Sequence, residues 1–213
     1  LSLVFLALSL LMKSIPLLDI KVLKFFNTLM IDKTFFSYFT EIGNGLICLA
    51  ITVPLLSLIS YRTPLNNVKV QTLVFVGLGV GLIVKVLKEL TSLYAVRPGF
   101  YEFEDVIYLE PVYLYSSFPS GHAATIFSLF LVWISLAFRN TKISNAGLTI
   151  TLLLIFALMV SLSRVIVAAH WLSDVLGSIA LAIVALNAIR FKVFKNILFE
   201  SRIAKFTSFF LIG

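Results

Sequence analysis

Apolar residues fill this chain in long runs, each closed by a short polar or basic stretch. Gly45–Ser60, Val70–Leu90, Gly121–Phe138, Ala146–Ala168 and Trp171–Ile189 are five such runs. A helix needs roughly 20 mostly apolar residues to cross about 30 Å of hydrocarbon, and these runs cluster around that length. Leu1–Met12 is apolar as well but reaches only about 18 Å as a helix. It reads as the end of a first membrane helix whose opening residues precede Leu1. A signal peptide is the alternative, but Lys13-Ser14-Ile15-Pro16 follows in place of a small-residue cleavage site. The pattern therefore predicts an all-α polytopic membrane protein with six transmembrane helices. Gly77 and Gly81, at small-xxx-small spacing in the third span, allow a neighbouring helix to approach closely.

Two connections are unlike the rest. From Pro16 to about Ile42, Lys21, Lys24, Asp32, Lys33 and Glu41 interleave with Phe25, Phe26, Phe35, Phe36, Tyr38 and Phe39. That mixture predicts an interfacial helical segment, of one or two helices, between the first two spans. Residues 91–120 form a long polar and aromatic loop that carries Arg97, Glu102, Glu104, Asp105 and Glu110.

Composition agrees with the pattern. The 213 residues are 60% hydrophobic and 13% charged, against about 25% charged in an ordinary soluble domain. The length suits a single domain over 1–213. The net charge of +7 resides largely in loops and in the tail. Arg62 and Lys69, Arg139 and Lys142, and the 190–205 cluster fall on one side of a six-span chain, which the positive-inside rule makes cytoplasmic. The C-terminus is then cytoplasmic, and the 91–120 loop faces the periplasm or cell exterior across an inner (cytoplasmic) membrane. Residues 191–213 are expected to lie as a helix against the inner leaflet. No soluble basic surface invites nucleic acid. One cysteine, Cys48, excludes an internal disulfide framework and reads as buried filler.

Chemistry concentrates in Ser163-Arg164-Val165-Ile166-Val167-Ala168-Ala169-His170-Trp171-Leu172-Ser173-Asp174. Ionisable groups within membrane segments are rare and are functional candidates by default. On a helix, His170 and Asp174 at i and i+4 share a face. A carboxylate accepting one imidazole N–H leaves the other ring nitrogen free to attack or take a proton. Arg164 offers a planar, permanently charged fork suited to phosphate oxygens. Alone, the stretch reads equally as an arginine and a histidine capping two membrane helices at the interface. His122 stands in Ser117-Phe118-Pro119-Ser120-Gly121-His122 at the start of the fourth span. There the helix N-terminus and the Ser120 hydroxyl would favour an anion, and Gly121 permits close backbone approach. The same residues also describe an ordinary helix-initiating turn. Arg97-Pro98 follows the third span, which the proline confines to residues before Arg97. Lys88 lies upstream as a second candidate phosphate contact. The two histidines and the two arginines all fall at the outer ends of spans, on one membrane face.

Arg97-Pro98, Pro119-Ser120-Gly121-His122 and Ser163-Arg164-(five)-His170-(three)-Asp174 together resemble the three-part signature of the type-2 phosphatidic acid phosphatase superfamily, over about residues 70–190. That superfamily includes bacterial lipid phosphatases and vanadium haloperoxidases. The second and third motifs match in full. The first departs: the family places a lysine seven residues before the arginine, where this chain has Leu90, and Lys88 stands nine before Arg97. Nine steps of about 100° put Lys88 opposite Arg97 on a continuous helix. Lys88 joins the site only if the helix ends or distorts between them.

The resemblance implies metal-independent phosphoryl transfer with no cofactor. It makes His170 the nucleophile, Asp174 its orienting carboxylate and His122 the general acid and base. It assigns the phosphoryl oxygens to Arg97, Arg164, Ser120, the Gly121 N–H and Lys88. The expected activity is lipid phosphate hydrolysis through a phosphohistidine. Candidate substrates are undecaprenyl diphosphate, phosphatidylglycerol phosphate, phosphatidic acid and lipid A phosphate. A lipid-to-lipid phosphotransferase would use the same histidine. A non-catalytic transporter or anionic-lipid-binding protein would use the arginines alone.

Overall fold

The computed structural model describes residues 1–59, 67–109, 111–137 and 146–190. The basic positions Arg62, Arg139 and Lys142, the acidic Glu110 and the tail 191–213 lie outside the described residues.

Among the described residues the chain is all-helical. The elements are α1 (Ser2–Ser14), α2 (Pro16–Asn27), α3 (Lys33–Glu41), α4 (Gly45–Ile47), a π-helical turn (Cys48–Thr52), α5 (Val53–Ile59), α6 (Asn67–Thr91), a 3₁₀ turn (Pro98–Tyr101), α7 (Gly121–Ala137), α8 (Ala146–Ile166) and α9 (Leu172–Arg190). By length and composition, Val70–Thr91, Gly147–Ile166 and Leu172–Ile189 each suffice to cross a membrane, while the apolar stretch Gly121–Leu136 of α7 is shorter. Two bent pairs bring the number to at most five: α1 with α2 at 99°, and α3 with the 45–56 helix at 58°. Among the described residues the candidate spans thus number three to five against the six expected, and the short α7 is not among them.

Local chemistry explains the breaks. Pro16 opens α2, where its missing N–H costs no helical bond, and Ile15 leaves the helical region to make the bend. Asp32 caps α3 by accepting from the Thr34 and Phe35 amides at 2.7 and 3.0 Å. Pro54 lacks the N–H that would reach back to Ala50, and the π-helical turn runs up to it.

α7 and α9 pack against each other at the centre. α6 and α8 also flank α7, and α1 lies along α9. The core follows this order: Ala123, Ile126 and Leu129 of α7, Val175 and Ala182 of α9 and Val160 of α8 are buried. Leucines such as Leu78, Leu82, Leu148 and Leu152 turn outward, as lipid-facing positions do. The hairpin order makes α6 and α8 finish at the end of the bundle where α7 and α9 begin.

α2 and α3 are less peripheral than an interfacial segment implies, since Asp19, Asn27 and Thr40 are buried. Asn27 donates to the carbonyls of Ile107 and Ile166 at 2.8 and 2.7 Å and accepts from the Ile107 amide at 2.8 Å. One side chain thereby joins α2, the long loop and the end of α8.

Gly177 lets α9 seat against the residue preceding the Pro-Ser-Gly-His motif. A Cβ built there would clash with the Phe118 ring. Gly177→Ala is therefore expected to destabilise the fold by about 1–3 kcal/mol through overpacking. A lowered thermal unfolding midpoint in detergent checks this.

Candidate active site

The third motif is not one continuous helix. α8 ends at Ile166 and α9 starts at Leu172, with Ala168 in the left-handed region (φ 54°) between them. His170 therefore sits in the turn, where its amide and that of Ala169 donate back to the Arg164 carbonyl at 3.1 and 3.0 Å. Asp174 lies in the first turn of α9 and accepts from the Trp171 amide at 3.1 Å, the reciprocal half of a capping box. His170 Nδ1 stands 3.4 Å from Asp174 Oδ2. The i,i+4 spacing does bring the pair together, but across a helix start and not along a helix face.

Asp174 is fully buried and richly partnered. The Ser117 hydroxyl donates to Oδ2, and Lys13 Nζ lies 2.8 Å from Oδ1. Burial of an ionised carboxylate requires such pairing. His170 is itself 1% exposed. Its burial, reinforced by the charges of Arg97 and Lys88, pulls the imidazole well below the usual histidine range against the opposing pull of Asp174.

α7 begins at Gly121, and the Ser120 hydroxyl accepts from the Ala123 amide at a long 3.5 Å, so Ser120 is placed as the helix cap. Added to Gly121, a Cβ would meet Val84 only at ordinary contact, 3.6 Å, so the surrounding protein does not demand glycine there. Gly43 is different. A Cβ on it would lie 2.9 Å from His122 Cβ, so the α3–α4 turn closes over His122 only because position 43 has no side chain. His122 Nε2 has no hydrogen-bond partner and faces Glu41 Oε1 at 3.6 Å. His122 lies within electrostatic reach of His170, Arg164, Lys88 and Arg97.

The arginines come from opposite sides. Arg97, buried, donates to the carbonyls of Tyr115, Ala169 and Ser116 at 2.9, 3.2 and 3.5 Å. Arg164 donates from Nη1 to the Thr40 hydroxyl at 2.8 Å, while its buried Nε has no hydrogen-bond partner. Both line a cavity of about 170 Å³ with Thr40, Glu41, Tyr113 and Ala169. A second cavity of about 520 Å³ holds Lys88 beside Arg97, Tyr113 and Ser116. Helix α6 stops at Thr91, so the chain turns between Lys88 and Arg97 and the opposite-face geometry of a continuous helix does not arise.

The structure thus gathers Arg97, Lys88, Ser120, Gly121, His122, Arg164, His170 and Asp174 at one end of the bundle. Sequence reasoning missed Lys13, Thr40, Glu41, Gly43 and Ser117. Of these only Ser117 carried a local signal, as a neighbour of the Pro-Ser-Gly-His motif. Among the described residues no group of three His, Cys, Asp or Glu is placed to hold a metal ion.

A family model described as the PAP2 superfamily matches residues 69–198. No curated protein matches the chain. Two crystal structures share its fold. One is LpxE from Aquifex aeolicus, at 24% identity and a TM-score of 0.58, covering 80% of this chain and 95% of that one. The other is the first transmembrane PAP2 type phosphatidylglycerolphosphate phosphatase from Bacillus subtilis, at 20% identity and a TM-score of 0.68, covering 88% and 91%.

Proposed function

Because the chain belongs to the PAP2 superfamily, we propose that it is a membrane lipid phosphatase working through a phosphohistidine on His170. The observation that carries this reading is the clustering of two imidazoles with two buried arginines: one imidazole faces a buried carboxylate, and one arginine N–H has no partner. The similar Bacillus subtilis protein is a phosphatidylglycerolphosphate phosphatase, which makes a lipid phosphate the natural substrate class. Undecaprenyl diphosphate, phosphatidic acid and lipid A phosphate belong to the same class.

In this reading a neutral His170 ring nitrogen attacks phosphorus while Nδ1–H points to Asp174. The bond from phosphorus to the lipid-side oxygen breaks with its electron pair, and His122 protonates that oxygen. His122 then takes a proton from water. The resulting hydroxide attacks the phosphohistidine, the P–N pair returns to His170, and inorganic phosphate leaves. Arg97, Arg164, Lys88, the Ser120 hydroxyl and the Gly121 N–H hold the phosphoryl oxygens. Phosphoryl transfer depends mainly on such positioning and charge. As His170 is nearly inaccessible, a substrate phosphate must displace neighbouring side chains to reach it.

The architecture that fits this chemistry counts α1, the 45–59 unit and α6 to α9 as six spans, with α2 and α3 at the interface. The catalytic end faces outward and the C-terminus lies inside, as the distribution of lysine and arginine favours.

Release of inorganic phosphate from a panel of purified lipid phosphates, run beside His122→Ala and His170→Ala, tests the reading. Phosphate recovered only on a second lipid would replace hydrolysis with transfer between lipids. Undiminished turnover in His170→Ala would leave an anion binder or transporter. Since arginines fill the role of a metal here, phosphate release is expected to persist in EDTA, and strong inhibition by the chelator would contradict that.

A further inference from the structure

Asp174 has one partner that the family match does not reach. Lys13 belongs to the last turn of α1, far before residue 69, yet its ammonium lies 2.8 Å from Asp174 Oδ1. The other carboxylate oxygen receives the Ser117 hydroxyl and the Trp171 amide, and it faces His170 only at 3.4 Å. The carboxylate is thus held more tightly by the lysine than by the imidazole it accompanies.

The lysine is fixed in place. Its ammonium also sits 5.0 Å from the centre of the Phe118 ring. α1 is pinned to the start of α9 by the Ser9 hydroxyl on the Ser173 carbonyl at 2.7 Å. Across the 99° bend, Asp19 of α2 accepts from the Ser173 amide and hydroxyl. The lysine side chain remains 31% exposed and lines a cavity of about 190 Å³ with Tyr94, Tyr101 and Trp171, so its charge keeps contact with solvent.

We propose that Lys13 is a positioning residue for the His170–Asp174 pair: it shares the carboxylate's charge, so that Asp174 orients His170 without drawing a second proton onto it. A buried carboxylate with an imidazole as its sole basic neighbour favours the imidazolium, which has no lone pair for attack. With Lys13 in place, the carboxylate already has its counter-charge. The other charged groups around His170 are the cations Arg97 and Lys88, which oppose its protonation; His122 is the other titratable group nearby, and Asp19 is the second carboxylate near Asp174. Removing Lys13 takes away a positive charge and leaves both carboxylates, so the proton affinity of His170 rises. The proposal rests on the phosphatase reading for the role of His170 as nucleophile.

The test uses the full chain in detergent, ¹⁵N-labelled at histidine. With two histidines in the sequence, a His122→Asn sample assigns the spectrum. In the wild type the His170 ring should be neutral with Nδ1 protonated at neutral pH and take up its second proton only well below the usual histidine range. In Lys13→Met its titration should move up by about one pH unit or more. Lys13→Gln, which keeps a hydrogen bond but no charge, should behave like Met, and Lys13→Arg should restore the wild-type titration. The acid limb of kcat should shift with the ring, lowering kcat about tenfold on that limb with KM within about twofold. Unmoved titration in folded Met and Gln variants overturns the proposal, even if activity falls, and so does an Arg variant that matches Met. The spectrum reads the ring without turnover, so a wild type that releases no phosphate defeats the phosphatase reading and leaves the Lys13 result standing by itself.

Discussion

His170→Ala is expected to lower phosphate release by at least about 1,000-fold, the scale on which removing a covalent nucleophile acts. His122 lies in the first turn of α7 and faces Glu41, and Cys48 is buried in the core beside the Ile42 carbonyl. The loss should be in kcat, because the arginines that hold the phosphate remain. A second measurement sharpens the result. Acid-labile phosphate trapped on the protein during turnover should be present in the wild type and absent from His170→Ala. With a substrate whose leaving group needs no proton, His122→Ala should still form this adduct but resolve it slowly. A folded His170→Ala protein that keeps a tenth or more of wild-type activity would be incompatible with the mechanism.

Arg164→Lys should be nearly as damaging, at about 100-fold in kcat/KM, the loss expected when one preorganised donor to a developing charge is withdrawn. The positive charge is kept, so the effect isolates geometry. Arg164 reaches Thr40 with Nη1 while Nε stays buried and unpartnered. A buried donor without a partner is costly in the empty protein and is satisfied when an anion oxygen arrives. Lysine supplies a point charge on a flexible stem and cannot bridge Thr40 and a phosphate at once. Steady-state kinetics on the best lipid substrate decide it. A lysine variant within about threefold of wild type would mean that Arg164 supplies bulk charge alone.

The extent to which the sequence disclosed this site depended on how far apart the participating residues lie. His170 and Asp174 are four positions apart, and any start of a helix between them leaves them neighbours, so their pairing was legible even though the helix assumed for it was not. Ser120, Gly121 and His122 were legible for the same reason, since a helix N-terminus presents consecutive residues to one spot. Lys88 was ambiguous because its placement depends on where α6 stops, and Thr91 carries no proline or glycine to announce the end. Lys13 was invisible. It meets Asp174 across 161 positions of sequence, because α1 packs along α9, a pairing of helices that no hydropathy pattern encodes. Thr40, Glu41 and Gly43 escaped likewise, because the 16–42 stretch reads as amphipathic surface and its inward-facing polar groups look like any interfacial helix. The long spans, by contrast, follow from apolar length alone, and their bounds fall within a few residues of the expected ones.

The three carbonyls that occupy Arg97 have a consequence for the end of the reaction. Its guanidinium is already bonded to Tyr115, Ala169 and Ser116, so under the proposed function a substrate phosphate shares or displaces those bonds. Those same oxygens wait within reach when the product is formed. If the proposed hydrolysis holds, they are a resident competitor for the guanidinium as inorganic phosphate loosens, and weak product inhibition is the expected result.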